Sequence, residues 1–199
     1  MLYAVTKDGQ KVRPNKDVIG YCPICQEKVI AKMGDIRVNH WSHQKNKDCD
    51  NWSEGETDWH LFWKSIVKKA NTEVVIGEHR ADIVNSKGTV IELQHSSIST
   101  EEIAERESFY GDMIWLFDLT HKRKNFIIVD KFYKENQGRH CMYHWKWGWK
   151  KLYSVQKPIF VDIGKFSILH LTEFGLPYGY ANLYTYKKFI ELYMGNIIV

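Results

Sequence analysis

The stretch Arg80-Ala81-Asp82-Ile83-Val84-Asn85-Ser86-Lys87-Gly88-Thr89-Val90-Ile91-Glu92-Leu93-Gln94 decides the fold. Two runs rich in Ile, Val and Leu flank Asn85-Ser86-Lys87-Gly88, so the segment reads as a β-hairpin. A loop of Ser86, Lys87 and Gly88, with Gly88 left-handed, sets Asn85 opposite Thr89. The same register sets Asp82 opposite Glu92, with side chains about 5 Å apart. Like charges so placed repel, and a divalent cation between them is a natural remedy, since hard cations such as Mg2+ take carboxylate oxygens, water and phosphate. Gln94 shares the face of Glu92 because strand side chains alternate. The simpler account is an exposed hairpin with a polar outer face. Against it, Ile91 and Leu93 give the strand an apolar face, and a helix and an apolar strand follow. Glu92 is then central, where an unpaired charge is costly.

Working outward, Trp59, Phe62, Trp63, Ile66, Val67 and Ala70 recur at helical spacing and predict a helix over 56–70. A strand over 73–77 precedes the hairpin. Ser99 or Thr100 caps a second helix with Glu101 and Glu102 in its first turn, and Gly111 ends it. The continuous apolar run 113–117 reads as a buried central strand. Further strands are expected at 125–129, 145–149, 158–163 and 166–171, and a final helix at about 180–193. The fold class is α/β with a central mixed sheet flanked by helices. Three segments follow: a metal-binding module at 1–50, the core at 51–135 and an aromatic, β-rich extension at 136–199.

Glu56, His60 and Lys64 are spaced i, i+4, i+8 and run along one edge of the apolar face of the first helix. A charged stripe that merely supports the helix is the plainer alternative. Glu54 competes with Glu56 as the acidic member.

Residues 1–50 show little apolar periodicity, too little to bury a core of their own, and are expected to need a metal for stability. Cys22-Pro23-Ile24-Cys25 is followed by His40, His43 and Cys49. A CxxC turn presents two thiolates to one tetrahedral ion, which a downstream His and Cys complete. The expected set is Cys22, Cys25, His43 and Cys49 around a structural zinc, with His40 as alternate ligand or as a donor to one. Cys141 reads as a buried small residue. The stretch His144-Trp145-Lys146-Trp147-Gly148-Trp149-Lys150-Lys151 alternates aromatic and basic residues. It suits base stacking, but an amphipathic strand with its Trp face in the core is the preferred account.

The hairpin resembles that of the PD-(D/E)xK nuclease superfamily, and more closely that of the competence protein CoiA-like family within it. That family is similar in carrying Gln where the superfamily has Lys, in the Ser-rich connection His95-Ser96-Ser97-Ile98-Ser99, and in the helix bearing Arg106 and Tyr110. It is also similar in the Glu, His, Lys pattern of 56, 60 and 64 and in the Cys/His run. The resemblance covers about residues 20–120. It implies a Mg2+- or Mn2+-dependent deoxyribonuclease, an endonuclease rather than an exonuclease. Asp82, Glu92 and the Leu93 carbonyl would hold the metal, Gln94 would orient the water, Glu56 would assist the metal, and His60 and Lys64 would contact phosphate or water. Competence, phage and defence settings are compatible with it, and a homodimer or recombination or defence proteins are candidate partners. The rival is a DNA-binding recombination accessory on a nuclease-derived fold that no longer cuts, since Gln hydrogen-bonds water but takes no proton. A zinc-stabilised protein adaptor is a third reading.

Composition narrows the classes. With 28 Lys+Arg against 24 Asp+Glu the net charge is +4, which permits nucleic-acid binding without demanding it. The sequence contains no apolar run of spanning length and no signal-like N-terminus, so no membrane role and a cytoplasmic location are expected.

Overall fold

The computed structural model describes residues 1–35, 38–44, 49–52, 55–121, 125–134 and 138–195, with backbone alone at 131–134 and 138–139. Glu54 lies outside the described residues. The chain divides into two compact units, Met1–Ile83 and Val84–Ile197.

The first unit opens with β1 (Ala4–Val5), β2 (Lys11–Val12), β3 (Gly20–Tyr21), β4 (Lys28–Lys32) and β5 (His40–His43). They form one antiparallel sheet in the order β2-β1-β3-β4-β5. Ala4, Cys22, Val29 and Trp41 pack as its core, with Met1, Val12, Ile24 and Ala31 against them. The expectation that this region has no core of its own is therefore corrected. The strands are too short for alternation to show in sequence, and Trp41 is among the largest fully buried side chains.

Helix α1 (Asp58–Ile66) is shorter than the predicted 56–70. The Thr57 side chain caps it by accepting from the His60 amide, and Val67 is already extended. Its buried positions are His60, Trp63 and Lys64, the i, i+3, i+4 set, whereas Phe62 is exposed. Of the expected stripe, His60 and Lys64 are thus part of the buried face, and Glu56 precedes the helix rather than lying on it. Strands β6 (Thr72–Ile76) and β7 (His79–Val84) pair antiparallel around Gly77, which has φ of 56°. The ladder joins Thr72 to Ile83 and Val74 to Ala81, so Glu73 falls opposite Asp82.

In the second unit the loop after β7 forms as read. The Asn85 amide donates to the Thr89 carbonyl at 3.0 Å, the Gly88 amide donates to the Asn85 carbonyl at 3.1 Å, and Gly88 has φ of 87°. Strand β8 (Val90–Gln94) follows, then α2 (Thr100–Tyr110), capped by Ser99 and ended at Gly111, and β9 (Met113–Asp118). Next come β10 (Phe126–Lys134), β11 (Gly138–Trp145), β12 (Ile159–Asp162), β13 (Ser167–Glu173), β14 (Tyr178–Thr185) and a short α3 (Tyr186–Phe189) that continues as one wide helical turn over Ile190–Met194. The sheet order within this unit is β10-β11-β14-β13-β12-β9-β8. β9 is parallel to both β8 and β12 and the other pairs are antiparallel, so the sheet is mixed as expected. Every residue of β9 is buried, as a parallel strand covered on both faces must be.

Two expectations fail here. Residues 180–185, expected in the final helix, belong to strand β14 (Tyr178–Thr185), in which Gly179 and Ala181 are buried and Tyr178 and Tyr180 exposed. This period of two fits its place between β11 and β13. Residues 145–149 are not a strand: β11 ends at Trp145, and a 3-10 turn occupies Lys150–Ser154. Trp145 is core and Trp147 is exposed, so the Trp residues share no single face. Cys141 is buried, as read.

Candidate functional sites

The first cluster is sulfur-rich. Cys22 and Cys25 flank the turn between β3 and β4, His43 ends β5, and Cys49 follows in the next loop. Their ligand atoms all lie within 4.8 Å of one another. Cys22 Sγ is 3.5 Å from Cys49 Sγ, and Cys25 Sγ is 3.3 Å from His43 Nε2. A tetrahedron with metal–sulfur bonds of about 2.3 Å has edges of about 3.8 Å, so the spacing fits a four-coordinate ion. Burial pushes the Cys22 thiol up, and burial beside the Cys22 thiol pushes Cys49 up to about 12. A bound cation reverses that cost by stabilising thiolate. The four residues form a cluster that could hold a metal such as zinc. His40 is outside it. Being three positions from His43 on one strand, it points to the other face, and its Nδ1 meets the Val38 carbonyl at 2.8 Å.

The second cluster, also in the first unit, is built around Lys64. Its ammonium lies 2.8 Å from Glu56 Oε1, 2.8 Å from Asp82 Oδ1 and 3.4 Å from Glu73 Oε1. Helix α1 aims Lys64 inward, β7 delivers Asp82, and β6 delivers Glu73 with φ of 46°. Burial alone would lower the Lys64 pKa, but Asp82, Glu56 and Glu73 hold it above its usual value. Burial would likewise raise Glu73, yet Lys64 and Arg80 keep its carboxyl well below the usual range. Glu73 also accepts the Leu2 and Tyr3 amides and lies 3.8 Å from Arg80 Nε. Glu56 differs. Burial raises it to about 7, Lys64 opposes this, and Glu73 and Asp82 add to it. Its Oε2 is buried with no hydrogen-bond partner. Asp82 is the most accessible member, its side chain 20% exposed against 6% for Glu56 and 2% for Glu73. His60 is buried with Nδ1 2.8 Å from the Thr57 hydroxyl.

The third cluster is in the second unit. Glu92, Leu93 and Gln94 are all buried on β8. Arg106 of α2 donates to Glu92 Oε2 at 2.6 Å and also pairs with Glu102. The guanidinium lies over the Trp115 ring, 5.9 Å from its centroid, and Trp115 is the register partner of Glu92. Gln94 Nε2 donates to the Ser96 carbonyl at 3.2 Å.

The structure therefore joins Glu56, Lys64 and Asp82 by direct contacts. It also supplies what sequence reasoning sought in a metal: Asp82 and Glu92 each have a protein cation, Lys64 and Arg106. Glu73 and Arg106 were missed as partners. The Gly77-Glu78 turn could have found Glu73, because a two-residue hairpin counted back from it sets Glu73 against Asp82.

The family model of the competence protein CoiA N-terminal domain matches residues 6–51, the span that holds all four cluster ligands. No curated protein matches the chain, and no solved structure matches it. Among the described residues no helix is long and apolar enough to cross a membrane.

Proposed function

We propose that this protein is a CoiA-like, metal-dependent deoxyribonuclease of PD-(D/E)xK type, with a structural zinc held by Cys22, Cys25, His43 and Cys49. The observation that carries the reading is the Lys64 cluster. Three carboxylates converge on one ammonium, and one oxygen of buried Glu56 lacks a partner. Such hard oxygens suit Mg2+ or Mn2+. Asp82 and Glu92, with the Leu93 carbonyl, are the ligands in this reading, and Glu56 assists. The metal supplies Lewis acidity and lowers the pKa of a bound water. Gln94 orients that water by hydrogen bonding and takes no proton. In this reading Lys64 contacts a phosphate oxygen, and His60 shares its helix face. The protein acts in the cytoplasm on DNA, as an endonuclease.

A specific observation favours the second reading, a DNA-binding recombination accessory that does not cut. Lys64 and Arg106 already neutralise the two carboxylates, so their burial needs no metal. Incubation with linear, circular and single-stranded DNA, with and without Mn2+, separates the two. Cleavage that depends on Mn2+ and vanishes in Asp82→Ala and Glu92→Ala, with DNA binding kept, is the expected result. Metal-independent binding without cleavage would establish the accessory reading instead.

A further inference from the structure

Cys49 is followed directly by Asp50, whose carboxylate is not a ligand of the sulfur cluster and is only 2% exposed. Its partners lie elsewhere in the first unit. Oδ2 accepts the Arg80 backbone amide at 3.0 Å, and Oδ1 is 3.0 Å from His79 Nδ1 and accepts the Trp52 amide at 3.2 Å. The Trp52 ring lies flat on the His79 imidazole, with an interplanar angle of 9°. One buried carboxylate thus pins the first two residues of β7 to the loop that ends the metal cluster.

From β7 the connection continues. Arg80 and Asp82 share a face of the strand, the face opposite His79, Ala81 and Ile83. Arg80 reaches Glu73, and Glu73 and Asp82 both reach Lys64. We infer that Asp50 is a positioning residue that ties metal occupancy of the Cys22, Cys25, His43 and Cys49 cluster to the strand carrying Asp82. With the ion bound, Cys49 is fixed and the adjacent Asp50 is presented to β7 already ordered. Without it, docking the Asp50 carboxylate must also overcome the conformational entropy of ordering Cys49 and Asp50. The coupling stands apart from the nuclease reading; only its bearing on cleavage rests on that reading.

Amide hydrogen exchange on the full-length protein tests it, before and after removal of zinc by a high-affinity chelator. In wild type, chelation should speed exchange at Arg80 and along β7 by at least tenfold, while β12 and β13 stay unchanged. In Asp50→Ala, β7 should exchange fast from the start. Chelation should then speed the β4 and β5 amides and add nothing at Arg80. Asp50→Asn, which keeps one acceptor oxygen, should restore part of the response. Unchanged exchange of β7 on chelation of wild type overturns the inference. So does a chelation response at Arg80 that survives in Asp50→Ala, since the coupling would then run by another route. If Asp50→Ala does not fold, the wild-type and Asp50→Asn responses decide the matter. These readouts need no cleavage, so loss of the nuclease reading would leave them intact.

Discussion

Glu56 and Lys64 face each other with Oε1 2.8 Å from Nζ, and the second oxygen of Glu56 is buried beside them without a hydrogen bond. The ion pair is therefore half-satisfied on its acidic side. Burial, partly offset by Lys64, raises the Glu56 carboxyl to about 7. The folded protein then holds a proton that the unfolded chain gives up near the ordinary value of 4.5, so between these limits stability falls as pH rises. The effect is at most about 3 kcal/mol. Glu56→Gln should leave stability at pH 4.5 almost unaltered and raise it at pH 8, flattening the slope between. Urea denaturation at several pH values measures this, and an unaltered slope in the variant would remove Glu56 as its source.

Glu73 behaves in the opposite sense. Its carboxyl is held below the usual range, so its contribution is present above pH 4.5 and is lost as pH falls. Glu73→Ala removes the acceptor for two backbone amides and leaves Lys64 and Arg80 underpaired in a buried setting. A loss of about 3–5 kcal/mol is expected at neutral pH. A loss below about 1 kcal/mol in denaturant titration would show that the N-terminal strands do not depend on it.

Arg106→Met should remove the guanidinium partner of the buried Glu92 carboxylate, at a cost of about 3–5 kcal/mol. Pairing it with Glu92→Leu should recover most of that loss, because an apolar pair needs no partner. Failure of the double variant to recover would mean that Arg106 acts through Trp115 and Glu102 rather than through Glu92.

Elemental analysis should find one zinc per chain in protein purified without chelator, and Cys25→Ser should lose it. His40→Ala should keep it, since His40 lies on the other face of β5. Zinc retained in Cys25→Ser would break the ligand assignment.

DNA affinity should be led by phosphate contacts. It should drop at least about tenfold between 50 and 200 mM salt for a site that neutralises several phosphates. Fluorescence anisotropy with a labelled duplex measures it, and a flat salt profile would remove DNA as the main ligand.

What the sequence made legible was local chemistry. The Cys22-to-Cys49 set could be read because thiolate spacing is nearly a structure in itself. The turn at Gly88 and the helix ends at Ser99 and Gly111 were readable because each depends on one residue's side chain or backbone freedom. The partners of the candidate acids were not legible in this way. Arg106 meets Glu92 across fourteen residues, and Glu73 meets Leu2 across seventy-one. No periodicity encodes such meetings. Residues 180–185 were misread because Tyr and Leu residues there also fit a helical face, and only the neighbours β11 and β13 choose the strand.

β14 lies between β13 and β11 and is the link that joins the β10–β11 hairpin to the rest of its sheet. The hairpin is made earlier in the chain and, among the described residues, has no other strand neighbour. During synthesis it must therefore wait, with one edge of β11 unpaired, until residues 178–185 leave the ribosome. In that interval the edge is open to the wrong partner. A nascent chain held with residues 178–185 still inside the ribosome would expose β11 to aggregation, whereas a chain released with them free could close the sheet.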